Sequence, residues 1–345
     1  MSDLVPFSEV EAAAGRLEGV AVRTPLAPAG ELSEEVGGEV RLKLESLQRS
    51  GSFKFRGAFN FVSRLSDEEV ARGVITYSSG NHAQAVALAA RIRGVPAVVV
   101  MPTTAPAVKR EGAERLGARV VLEGTTSLER RARAEEIQEA EGLAMVPPFD
   151  HPDIIAGQGT AAMEAAADWP EMETWLVPIG GGGLASGSGV SLRALAPGVR
   201  IVGVEPEGAA AMRASLDAGE PATLPRIDTI ADGLAPSRPG DLTFLHVREL
   251  FDDVVTVPDD AIREAARFLL TRQKLVVEYS GAAAVAALRS GAVDGAGCRV
   301  ACVVSGGNLD PSIQRELLAA PGAPARQGAP DAGVGAPGSA PAPSA

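Results

Sequence analysis

The residue best placed for chemistry is Lys54, in the stretch Ser50-Gly51-Ser52-Phe53-Lys54-Phe55-Arg56-Gly57. Small turn residues stop here and an apolar period begins. Phe55, Ala58, Phe59, Val62 and Leu65 recur with the spacing of one helix face. Ser52 suits the N-cap, which puts Lys54 in the first turn. Unpaired amides there carry partial positive charge, the wrong end for a cation. Phe53 and Phe55 flank the lysine and offer desolvation. Both effects disfavour the ammonium form and push the amine toward a nucleophile. A surface lysine snorkelling past two aromatics fits the same residues.

Three more clusters carry chemistry: Ser78 to His82, Gly180 to Gly183 and Ser305 to Asn308. Each follows an apolar, strand-like run. In open α/β sheets, ligands bind beyond the carboxyl ends of strands. The four glycines precede a helix, so their bare backbone lets several N–H groups converge on an anion, usually a phosphate. A tight turn is the plainer reading, but four consecutive glycines are costly to order for a turn alone. Gly180-x-Gly182-x-x-Ala185 also matches the dinucleotide fingerprint, with Glu205 where a ribose-binding carboxylate is expected. That reading supports a nicotinamide-dependent oxidoreductase. Against it, the fingerprint usually opens its domain and here lies mid-chain, leaving Lys54 and Ser78 to His82 without a role. Asn81 and His82 taken alone read as turn and helix-cap residues, and Ser305 as a cap.

The elements that position these clusters alternate. Strands are expected at Val40–Leu44, Val74–Tyr77, Ala97–Met101, Arg119–Leu122, Trp175–Ile179, Ile201–Val204, Val254–Val257 and Val300–Val304. Helices are expected at Ser8–Leu17, after Lys54, and at Ala83–Arg93, Pro106–Leu116, Thr126–Glu141, Gly159–Ala167, Ser186–Leu195, Asp259–Gln273 and Gly281–Arg289. Strand and helix in alternation mark parallel sheets with crossover helices. The chain of 345 residues is 46% hydrophobic and 22% charged, an ordinary globular balance for about two domains. A formal net charge of −12 argues against nucleic acid or an anionic membrane as main partner. No apolar run approaches the roughly 20 residues of a membrane span, and residues 1 to 11 lack a signal-peptide pattern. The two cysteines, Cys298 and Cys302, read as small buried hydrophobes in one strand and suit a reduced cytoplasm. From Pro321 the chain is rich in Pro, Gly, Ala and Ser, and disorder is expected to Ala345.

Together these motifs resemble the serine/threonine dehydratase and serine racemase group, pyridoxal-phosphate enzymes of fold type II. The segments that carry the resemblance are Ser-Gly-Ser-Phe-Lys-Phe-Arg-Gly-Ala, Ser-Ser-Gly-Asn-His-Ala-Gln, Gly-Gly-Gly-Gly-Leu and Ser-Gly-Gly-Asn. Phe149-Asp150, Ala156 to Thr160, Ala231 to Ala235 and Glu278 to Ala282 are similar too, so the likeness runs from about Thr24 to Leu318. Phe55 after the lysine, where cysteine and threonine synthases usually carry Asp, points to the dehydratase/racemase branch. The resemblance implies a role for each position. Lys54 forms the Schiff base with pyridoxal 5'-phosphate and then moves the Cα proton. Phe53 packs on the ring, with Gly233 opposite. Asn81 bonds the ring hydroxyl, Gly180, Gly181, Gly182, Gly183 and Leu184 hold the phosphate, Ser305 meets the pyridine nitrogen, and Glu278 lines the cofactor site. Ser78, Ser79, Asn81 and His82 grip the substrate carboxylate, and Ser79 serves the opposite face in racemases.

The implied fold is α/β, with each of two domains an open, mostly parallel twisted sheet flanked by helices. Residues 1–64 and 149–320 are expected to form the large cofactor-binding domain and 65–148 a small inserted one. The implied activity is threonine and/or serine ammonia-lyase. Serine racemase and dehydratases of 3-hydroxyaspartate or a hydroxyectoine breakdown product are the near alternatives. A homodimer or homotetramer is expected. Two departures stand out. The family's metal site uses a carboxylate like Glu205, a carbonyl at Ala209 and an acid two residues on, where this chain has Ala211, so a divalent cation is doubtful. Tyr279 stands where many relatives have proline.

Overall fold

The computed structural model describes residues 4–78, 80–105 and 107–319; Ser79 and the Pro321–Ala345 tail lie outside the described residues. The chain runs through α1 (Phe7–Leu17), β1 (Leu26–Pro28), α2 (Gly30–Val36), β2 (Glu39–Lys43), α3 (Lys54–Ser63), α4 (Asp67–Arg72), β3 (Val74–Tyr77) and α5 (Asn81–Arg93). It continues through β4 (Ala97–Met101), α6 (Ala107–Arg115), β5 (Arg119–Leu122), α7 (Ser127–Glu141), β6 (Ala144–Met145) and α8 (Pro152–Asp168). The last part is β7 (Thr174–Pro178), α9 (Gly183–Leu195), β8 (Arg200–Pro206), α10 (Ala211–Ala218), α11 (Asp241–Leu250), β9 (Asp253–Val257), α12 (Asp259–Thr271), α13 (Tyr279–Arg289), β10 (Arg299–Val303) and α14 (Pro311–Ala319).

Two sheets result. One has six strands in the order β1-β2-β10-β7-β8-β9, the other four in the order β5-β4-β3-β6. Every pairing is parallel except β1 with β2. Parallel strands need helical crossovers, which cover both faces, so strands such as AVVVM of β4 and TWLVP of β7 are buried along their whole length. The strand order is what assembles the site. β2, β10 and β7 are neighbours running the same way, so the chain leaving each emerges at one edge, about 5 Å from the next. Those exits lead to the Lys54 turn, to Ser305–Asn308 and to Gly180–Gly183. The fourth cluster leaves β3 of the other sheet. Helix α3 joins the two: its Phe55, Ala58, Phe59 and Val62 pack with Val74, Ala83, Val86 and Val99 around the smaller sheet. Among the described residues no helix is long and apolar enough to cross a membrane.

Several elements differ from the sequence reading. Ser52 does not cap α3; it is extended and bridges Gly306, its Oγ meets no partner among the described residues, and Phe53 takes the cap position without a side-chain bond. Helix α8 begins at Pro152, two turns before Gly159, because His151 caps it through Nδ1 and proline occupies the first turn. Its early glycines permit contact with α3 rather than breaking the helix: a β-carbon on Gly157 would fall 2.6 Å from the Gly57 Cα. Only Cys302 lies in β10 and is buried; Cys298 precedes the strand and is half-buried. Sequence periodicity did not place β1, β6, α2, α4, α10, α11 or α14.

Candidate active site

Two lysines lie inside the fold, and their partners differ. Lys43 is buried, ion-paired with Glu164 at 2.5 Å and donates to the Thr24 carbonyl at 2.7 Å. Lys54 donates to the Pro148 carbonyl at 2.7 Å and its Nζ lies 5.2 Å from the centre of the Phe53 ring. Among the described residues it has no carboxylate partner. Lys54 is half-buried, and burial pushes its amine down from its ordinary value to about 8. A good share of this amine is therefore neutral near pH 8, as a nucleophile requires.

The position of Lys54 is fixed from both sides. Before it, Ser52 bridges Gly306 and the Phe53 amide donates to the Ser305 carbonyl at 3.1 Å. After it, the buried Arg56 guanidinium forks onto Glu45 at 2.8 Å and onto Glu164 at 2.7 and 2.8 Å. Two cations, Lys43 and Arg56, balance two carboxylates, Glu45 and Glu164, so the cluster holds β2, α3 and α8 together without an odd buried charge.

Around the amine the other clusters form one closed circuit of contacts. A β-carbon on Gly306 would fall 2.0 Å from Glu278 Oε1, which itself accepts from Asn81 Nδ2 at 2.5 Å. The next turn of that segment brings Ser280, whose Oγ accepts from the Gly233 amide at 2.8 Å. The Gly233 carbonyl lies 2.9 Å from where a Gly180 β-carbon would be. Phe149, adjoining the Pro148 carbonyl that holds Lys54, packs so closely on Gly181 that a β-carbon there would come within 2.1 Å of its ring. Gly182 has φ +94, a region that suits glycine, and Thr243 Oγ1 holds the loop by donating to the Gly181 carbonyl at 2.7 Å. Among the described residues, the amides of Gly180 to Gly183 donate to no protein acceptor, and they stand at the N-terminus of α9.

The profile of the family described as "Pyridoxal-phosphate dependent enzyme" matches residues 17–306. The chain belongs to this family. It is 45% identical over 315 residues to an L-threonine ammonia-lyase of Thermotoga maritima, covering 91% of this chain and 78% of that one. To an L-threo-3-hydroxyaspartate ammonia-lyase of a Pseudomonas species it is 42% identical, covering 91% and 99%. The structure of maize serine racemase superposes with a TM-score of 0.88 at 38% identity, covering 91% and 97%. The architecture is that of fold type II pyridoxal-phosphate enzymes.

The donor set of this pyridoxal-phosphate dependent enzyme fits its cofactor. An amine without an acidic partner suits the cofactor's aldehyde, and four open amides at a helix N-terminus suit its phosphate. The oxidoreductase alternative falls with the family match and with Glu205. That carboxylate is buried and accepts from the amides of Met212 and Arg213, both at 2.8 Å, so it caps α10 and is not free for a ribose. Burial nevertheless pushes Glu205 up to about 7. Ala209, 1% exposed, sits in the tight turn between β8 and α10. Among the described residues no group of three or more His, Cys, Asp or Glu is placed to hold a metal ion.

Other predicted residues have partners of their own. The His82 ring is buried against the Val146 carbonyl at 3.1 Å, and desolvation, then the Lys54 charge, pushes it down to about 3. It is neutral at any physiological pH. Leu184 is core, packed with Ile179 and Met212. Ser78 follows β3 and its Oγ accepts from the Gly80 amide at 3.4 Å. Tyr279 is buried in the core cluster that holds Ile262 and Ala265 of α12, and it bonds Arg263. Sequence reasoning gave no role to Pro148, Asp150, Thr243 or Asn308. Asp150 accepts from the Asp241 and Thr243 amides at 3.1 Å and so fixes the support of the glycine loop. Its signal was the motif Phe149-Asp150, which marks the place but not the contact.

Proposed function

We propose that the chain is an ammonia-lyase that removes water from L-threonine and/or L-serine, releasing a 2-oxo acid and ammonia. The observation that carries this is Lys54: an amine pushed down by burial, with no carboxylate partner among the described residues, set with three further clusters in a chain 45% identical to an L-threonine ammonia-lyase. When bound, the cofactor withdraws electrons from the substrate Cα and acidifies its proton. Lys54 anchors the cofactor and carries that proton. The amides of Gly180 to Gly183 receive the phosphate, Phe53 and Gly233 flank the ring, Asn81 meets its hydroxyl, and Glu278 holds Asn81. Ser305 meets the ring nitrogen. A hydroxyl there, unlike a carboxylate, holds no proton on that nitrogen, which favours loss of the β-hydroxyl over retention of the electron pair at Cα. Ser78, Ser79 and the amides of Asn81 and His82 receive the substrate carboxylate.

Residues 1–64 and 149–320 then form the large domain and 65–148 the small one, in a cytoplasmic homodimer or homotetramer. Glu205 spends its oxygens on α10 and Ala211 supplies none, so no divalent cation is assigned there. The likeness to maize serine racemase favours one second reading, inversion at Cα of serine. The test is keto acid release by the purified holoprotein from L-threonine, L-serine and L-threo-3-hydroxyaspartate, with D-serine measured alongside. We expect 2-oxo acid from threonine or serine, abolished by Lys54→Ala. Turnover of hydroxyaspartate alone, or D-serine formed faster than keto acid, would overturn the substrate or the reaction.

A further inference from the structure

Asn308 ends the Ser-Gly-Gly-Asn motif, and none of the roles above uses it. Its Nδ2 donates to the Ser50 carbonyl at 2.8 Å and to Asn81 Oδ1 at 2.7 Å. One carboxamide thus touches the turn ahead of Lys54 and the first residue of α5, which belongs to the other sheet. The turn is strained: Ser50 has φ 60, a left-handed conformation rare for a residue with a side chain. Gly51 follows at φ +76, and a β-carbon there would lie 2.4 Å from Asn308 Oδ1. The Gly307 amide adds a bond to the Gly51 carbonyl at 2.8 Å. The turn is moulded on Asn308.

Hydrogen-bond chemistry fixes the direction of the chain. A Glu278 carboxylate oxygen accepts, so the atom Asn81 turns to it is nitrogen. The Asn81 oxygen then faces Asn308, which meets it with nitrogen. In this sense Asn81 keeps one N–H for a ligand acceptor. Reversed, it would offer that ligand an oxygen.

We propose that Asn308 is a positioning residue that sets the Lys54 turn and the Asn81 carboxamide in one register. This rests on the assignment of Lys54 and Asn81 to the cofactor. The turn governs where the amine stands. The direction of the Asn81 N–H governs how the ring is held against it. Loss of Asn308 frees both, and a misplacement on the order of 1 Å can cost roughly 10²-fold in rate.

The test compares wild type, Asn308→Ala and Asn308→Asp as holoproteins, by visible spectrum, kcat, KM and melting temperature. Asn308→Ala is expected to lower kcat by about 10-fold or more, with KM changed far less, and to shift the visible band of the lysine-bound cofactor. Asn308→Asp sets acceptor against acceptor at both contacts and should lose at least as much. Adding Ser50→Gly to Asn308→Ala relieves the turn, so it should recover melting temperature but neither band nor kcat. An Asn308→Ala protein with wild-type band and kcat, lower only in melting temperature, overturns the proposal alone. A wild-type holoprotein without a lysine-bound band overturns the Lys54 assignment and the proposal with it.

Discussion

At the scale of the residue, Lys43 and Lys54 show that burial does not by itself make a lysine reactive. Burial lowers both, but the Lys43 ammonium has the Glu164 carboxylate at 2.5 Å to offset that loss, whereas Lys54 donates to the Pro148 carbonyl and has no carboxylate partner among the described residues. The ordinary lysine value is 10.5 and the folded value about 8. The ammonium form is therefore penalised in the folded state below pH 8, and the penalty fades between pH 8 and 10.5. Lys54→Met removes it. In cofactor-free protein this variant should be more stable than wild type by about 1–2 kcal/mol at pH 7, less than the full shift because Lys54 is only half-buried. The gap should close as pH rises toward 10.5. Urea unfolding at several pH values checks this; a gap that stays constant or widens with pH contradicts it. The sequence showed Lys54 through its aromatic neighbours and helix position. It could not show Asn308 or Pro148, because their contacts come from residues distant in the chain, with no local pattern to read.

At the scale of the element, the site depends on two helices that touch backbone to backbone. Gly157 of α8 and Gly57 of α3 interlock: a β-carbon on Gly157 would meet the Gly57 Cα at 2.6 Å and the Arg56 carbonyl at 2.7 Å. Backbone cannot swing aside as a flexible side chain can. Gly157→Ala should therefore destabilise by about 1–3 kcal/mol or more and, by displacing α3, slow keto acid release as well. Gly15→Ala in α1, where a β-carbon meets nothing within 4 Å, should instead stabilise by about 0.5–1 kcal/mol. Urea midpoints of the two variants check the contrast; equal shifts would contradict it. The long strands and the apolar stripe of α3 were legible as periodicity. The start of α8 was not, because glycine reads as a helix breaker until its partner is known. The cap of α3 was misread at Ser52 for a related reason, since its bridge is to Gly306, far along the sequence and just beyond the end of β10.

At the scale of the molecule, strand order turns scattered motifs into a site. β2, β10 and β7 lie side by side and parallel, so residues near 54, 180 and 305 emerge at one edge, while β3 brings residue 81 across from the other sheet. The α/β class was legible from alternation. The strand order was not, since nothing in local periodicity places β10 between β2 and β7. The central claim is that this assembly exists to hold pyridoxal phosphate on Lys54. The chain has four lysines: Lys43, Lys54, Lys109 and Lys274. The most direct measurement is borohydride reduction of the holoprotein, followed by proteolysis and mass mapping of the lysine that carries the cofactor. The expected result is the cofactor mass on Lys54 and on no other lysine. Its appearance on Lys43, Lys109 or Lys274, or its absence from all four, would contradict the account.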